Sequence, residues 1–154
     1  MAVSAITAAV NRESKGLLGD RLFAVYGMDA DAGTIPKGAI VCLDDSGYAV
    51  NGADSGSYVY VGIAVETKTA DATGSDGDTE IKVDATPGVI WKFGHNTGSL
   101  DATCVGTEMN VENNNAVDGA GATDKDIRIG TVAKWIDADE VWVRIDFTDP
   151  IGAA

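Results

Sequence analysis

Residues 127–147 read IRIGTVAKWIDADEVWVRIDF. In the second half Val141, Val143, Ile145 and Phe147 alternate with Trp142, Arg144 and Asp146. That is the period of a strand with one apolar and one mixed face. The first half is rich in β-branched residues and ends at Asp137, with Ala138-Asp139 left to turn the chain. The stretch therefore predicts a hairpin of 127–137 with 140–147.

The same rhythm runs back along the chain. RLFAVYG (21–27), GAIVCLD (38–44), GYAVN (47–51), SYVYVGIAVE (57–66), TEIKVD (79–84) and PGVIWKF (87–93) read as strands. EMNVENNNAVD (108–118) reads as two short ones around a turn at Asn113-Asn114. In 57–66, Val59, Val61, Ile63 and Val65 share one face, and Tyr58, Tyr60 and Ala64 the other. Apolar groups on both faces predict burial on both sides. In 79–84, Ile81 and Val83 point inward, with Glu80, Lys82 and Asp84 outward. Stretches 67–78 and 119–126 are polar, glycine-containing loops. About ten short strands with no long amphipathic helix predict an all-β fold, a barrel or a sandwich. Residues 1–20 lack this alternation. Within them 4–10 suit a short helix or an extended arm, so the chain divides into an N-terminal arm (1–20) and one β domain (21–154).

At 154 residues a single core can be buried without staples. The formal net charge of −13 repels phosphate, which argues against nucleic acid as a partner. Cys42 and Cys104 sit in apolar strand-like settings and read as reduced core thiols. The first residues lack the basic start and long apolar core of a signal peptide, so synthesis in a cytoplasm is expected. No apolar run approaches the ~18 residues of a spanning helix, and no membrane contact is expected.

Residues 76–96, DGDTEIKVDATPGVIWKFGHN, gather carboxylates, a tryptophan and the only histidine. A nucleophile needs a base beside it, and that base could only be His95, in a loop of small residues. It reads as an exposed loop histidine. Asp76, Asp78 and Glu80 have a calcium-like spacing, but Ile81 stands where an EF-hand loop needs glycine. One histidine and two distant cysteines are too few for a nitrogen–sulfur metal site. Neither an enzyme nor a cofactor or metal is expected.

The order of segments carries a resemblance. KGAIVCLDDSGYAV, YVYVGIAVET, a polar loop with DGD, EIKV, PGVIWKF, DATCVGTEMNVENNNAV, IRIGTVAKWID and EVWVRIDF follow one another over about residues 22–147. In order and spacing this resembles the small capsid decoration (cement) proteins of tailed bacteriophages. Asn113-Asn114-Asn115 departs from the pattern, standing where an acidic turn is usual. The resemblance implies a compact β-barrel or β-tulip-like module bound outside a phage head, stabilising it against internal DNA pressure. It implies the major capsid protein and further copies of the chain as partners, as a homotrimer or alternatively a dimer. It also implies an N-terminal arm that reaches neighbouring shell subunits and a location on the virion exterior, after synthesis in the bacterial host cytoplasm. Arg12, Lys15, Leu17, Leu18 and Arg21 in or beside the arm, and outward-facing Trp142, are the expected capsid contacts. Tryptophans and acidic loops would also suit an alternative, a host-surface or glycan-binding attachment module.

Overall fold

The computed structural model describes residues 3–15, 21–95, 100–119 and 121–145. The strands among them are β1 (Ser14–Lys15), β2 (Phe23–Gly27), β3 (Thr34–Ile35), β4 (Ile40–Leu43), β5 (Ala49–Asn51), β6 (Val59–Ala64) and β7 (Lys68–Thr69). There follow β8 (Glu80–Asp84), β9 (Ile90–His95), β10 (Glu108–Val111), β11 (Ala116–Gly119), β12 (Arg128–Trp135) and β13 (Glu140–Arg144). A single 3-10 turn, Ala102–Cys104, is capped by Asp101, and no α-helix occurs among the described residues. The all-β expectation holds.

The 127–147 hairpin closes a barrel. β12 and β13 pair antiparallel from Thr131↔Arg144 to Trp135↔Val141, and Asp137 caps the turn by accepting from the Asp139 and Glu140 amides. β13 continues onto β9, so the order β9-β11-β10-β12-β13 returns to β9 as a five-stranded closed barrel. β9 and β11 run parallel, the other pairs antiparallel. Closure leaves these strands no open edge. Val141, Val143 and Ile145 point inward to Phe93, Met109, Val111, Val117 and Ile129, as the alternation requires. Phe147 lies outside the described residues.

A second sheet, β2-β8-β6-β4-β5, lies beside the barrel, and β3 pairs with β7 as a small ribbon. Burial on both faces of β6 is as expected, but the assignment of side chains to faces is not. Val41 pairs with Gly62 and Cys42 with Tyr60, so Val61 is an extra residue in a β-bulge. Gly62 adopts φ +155°, and a Cβ there would lie 2.6 Å from the Asp84 carbonyl oxygen. The bulge shifts the alternation by one. Tyr60 and Ile63 join Ile40 and Cys42 against the barrel core, while Val61 and Ala64 join the second core with Val41, Ile81 and Val83. Val59 is left 55% exposed.

Three further expectations are corrected. The stretch 67–78 is not all loop, since Lys68–Thr69 pairs with Thr34–Ile35 and the two threonine hydroxyls meet at 2.8 Å. Asp84 is not on a solvated face. It ends β8 under Arg21, whose guanidinium approaches to 2.9 Å, and it accepts from the Thr86 amide and hydroxyl. His95 is fully buried, because parallel pairing with Val117 carries β9 beyond Phe93. Its amide donates to the Asp139 carbonyl, and its Nε2 lies 2.9 Å from the Asp137 carbonyl oxygen, which fixes a donor tautomer there. This histidine clips the hairpin turn to the barrel. Cys42 and Cys104 are both free and buried, as expected.

Candidate interaction surface

No helix forms within residues 3–15, and the segment is held against its own chain's barrel by hydrogen bonds. Three consecutive asparagines hold it. Asn113 Nδ2 donates to the Val3 carbonyl at 2.8 Å, and Asn115 Nδ2 to the Ser4 carbonyl at 3.0 Å. Asn114 accepts from the Ile6 amide and donates to the Ile6 carbonyl. An amide side chain carries a donor and an acceptor side by side, so it can pair with an extended peptide as a neighbouring strand would. The triplet is pre-set for this, because Asn113 Oδ1 also accepts from the Asn115 and Ala116 amides and holds the turn.

The next anchor is Arg12. Its Nε donates to the Gly38 carbonyl at 2.7 Å, one Nη to the Lys92 carbonyl at 2.8 Å, and the other to Asn115 Oδ1 at 2.9 Å. The guanidinium stacks 4.9 Å from the Phe93 ring centre. Burial lowers its pKa to about 10, which leaves it charged at neutral pH. Two glycines make room for the arm. Gly38 adopts φ +89° against Val10, and a Cβ on Gly94 would press into the Val3 side chain. Beyond Arg12 the chain becomes β1, pairing Ser14 with Trp91 and Lys15 with Ile90, and Glu13 bonds Lys92 at 2.9 Å.

The residues expected at a capsid contact thus have different fates. Arg12 is spent inside its own chain and is no free surface cation. Arg21 is tied to Asp84 and Ser14, and lies 5.7 Å from the Trp91 ring. Leu17 and Leu18 lie outside the described residues. Lys15 and Trp142 come together, with the ammonium 4.6 Å above the indole. Trp142 does face outward from the barrel, yet it is only 7% exposed. It forms the floor of a shallow groove of about 200 Å³ with Lys15, Ile90, Ala133, Lys134 and Arg144 around it. Lys134 is there because Ala133 is a bulge, which turns Lys134 outward opposite Trp142 and Trp135 inward. Period-2 reading misses such a shift.

Of the carboxylates in the 76–96 stretch, Asp76, Asp78 and Asp84 are structural. Asp76 accepts from the Ala30 amide and Asp78 from the Ser75 amide. Among the described residues no three of His, Cys, Asp and Glu are placed to share a metal ion. Asp29 is held above the ordinary carboxylate range. The Asp31 amide alone would lower it, but a hydrogen bond to Asp44 and the charges of Asp76 and Asp44 outweigh that. Missing from the sequence reading was the asparagine triplet as an arm clip. Its one visible signal was three amides in a row where a two-residue turn suffices. Comparison with family models, with curated proteins and with solved structures finds no match to this chain.

Proposed function

We propose that the protein is a capsid decoration (cement) protein. It would bind the outside of a tailed-phage head and stabilise the shell against internal DNA pressure. The observation that carries this reading is the closed barrel built from segments in the order that resembles the cement proteins, with the arm laid across its outer wall. A cement protein needs a rigid module and many repeated modest contacts, not turnover. A five-stranded barrel with no open edge provides that rigidity. The strong negative charge keeps both the free protein and a coated particle soluble. Its partners in this reading are the major capsid protein and further copies of itself, as a homotrimer.

The attachment-module reading draws less support. Glycan platforms present aromatic faces to solvent, whereas Trp91 and Trp142 are each 7% exposed. The test sets the two side by side. Purified protein is mixed with undecorated expanded heads and sedimented, and is also applied to glycan arrays with and without calcium. Co-sedimentation at micromolar protein with blank arrays supports the proposal. Specific glycan binding without co-sedimentation overturns it.

A further inference from the structure

Lys15, Lys134 and Arg144 surround Trp142 on one face, all three exposed, on a chain with 11 basic and 24 acidic residues. Elsewhere on the barrel Lys92 is paired with Glu13 and Glu140, and Arg128 with Glu108. None of the three around Trp142 has a carboxylate within ion-pair distance among the described residues. The three come from three strands, β1, β12 and β13, so it is the fold that assembles the face. Lys15 over the indole and the Ala133 bulge fix two of them in place.

An acidic run elsewhere on the surface has the opposite character. Residues 71–80 carry Asp71, Asp76, Asp78 and Glu80, all exposed, with no basic residue among them. The carboxylates of Asp71, Asp76 and Asp78 accept from backbone amides, which holds them in place without neutralising them. This run leads into β8, in the second sheet, whereas Trp142 belongs to the barrel. One chain therefore carries a fixed cationic–aromatic face and, elsewhere, a fixed anionic loop.

We propose that the Trp142 face docks the 71–80 loop of a second copy of this chain. The contact joins two different surfaces, so each copy still offers its own free face and loop. Such a head-to-tail contact closes into a ring when its rotation allows. Opposite charges at close range set partner and register. The proposal deepens the decoration reading, on which its multi-copy arrangement rests, by naming the surface that joins the copies.

The experiment mixes nitrogen-14 and nitrogen-15 labelled full-length protein and treats it with a zero-length carbodiimide crosslinker. Mass spectrometry then identifies mixed-isotope peptides. The proposal expects links from Lys15 or Lys134 to Asp71, Asp76, Asp78 or Glu80. Their yield should fall about tenfold in the Lys134→Glu/Arg144→Glu double variant. Adding roughly 0.5 M salt should also suppress them. Mixing that double variant with Asp76→Lys/Asp78→Lys should restore pairing. Absence of mixed-isotope links from Lys15 and Lys134 in the unaltered protein overturns the proposal, as does an unchanged yield in the double variant. Head co-sedimentation is scored separately, so loss of the self-contact and loss of capsid binding are distinguishable.

Discussion

Asn114 and Ile6, 108 residues apart, hold each other by two hydrogen bonds of 2.8 and 2.9 Å. The side chain of one stands in for the backbone of a neighbouring strand. Asn114 is 4% exposed and also donates to Asn51 Oδ1 at 2.8 Å, so it ties arm, barrel and second sheet at one point. Asn114→Ala removes all three bonds. At ~1 kcal/mol each, a loss of about 2–3 kcal/mol is expected. Limited proteolysis should then cut within residues 3–12 well before the barrel, and urea unfolding should report the stability loss. An arm as protected as in the unaltered protein would show that the triplet does not hold it.

Arg12 is the second anchor, and the fork shape of its side chain matters. Arg12→Lys keeps a charge but cannot reach the Gly38 and Lys92 carbonyls and Asn115 Oδ1 together. We expect Arg12→Lys to lose at least half as much stability as Arg12→Ala, itself about 2–3 kcal/mol. Full rescue by lysine, read from chemical unfolding curves, would reduce Arg12 to a simple charge.

The arm's ion pair sets a direction with pH. Hydrogen bonds to Glu13 and then Glu140 raise the Lys92 pKa above its ordinary 10.5. A group raised in the folded state contributes stability that is complete below its unfolded value and is lost as pH climbs through the folded one. Arm docking should therefore be insensitive to this group up to about pH 10 and weaken above it. Amide hydrogen exchange at Glu13 and Lys92 in buffers either side of that value checks it, with Lys92→Met as the control that removes the step.

Gly62 tests the bulge that splits β6. Alanine there meets both a φ of +155° and the Asp84 carbonyl oxygen. Gly62→Ala should cost about 3 kcal/mol or more, because a main-chain atom cannot step aside as a side chain does. Thermal unfolding followed by circular dichroism measures it, and a change below ~1 kcal/mol would mean the bulge tolerates a side chain.

Much of this architecture is legible in the sequence, and the failures share a cause. Val141, Val143 and Ile145 alternate without interruption, so their strand and its inward face read directly from the sequence. Val61 and Ala133 sit at bulges, and one extra residue inverts every facing assignment beyond it. His95 and Asp84 depart from the sequence expectation for a different reason. Local polarity suggested solvent, but each polar group has a partner far away in the chain, the Asp137 carbonyl and the Arg21 guanidinium. Trp142 was correctly placed outward, and its covering by Lys15 depends on the arm folding back, which no local pattern records. The asparagine triplet likewise acts on residues 108 to 111 positions away.

The central claim is that this barrel decorates a phage shell, and the most direct measurement is a binding titration. Increasing protein is added to undecorated expanded heads, and the amount pelleted per capsid subunit is quantified by gel densitometry. The account predicts saturation at a fixed ratio set by the lattice, with decorated heads withstanding heating that breaks bare ones. No pelleting at micromolar protein, or uptake that rises without saturating and leaves heat resistance unchanged, would contradict it.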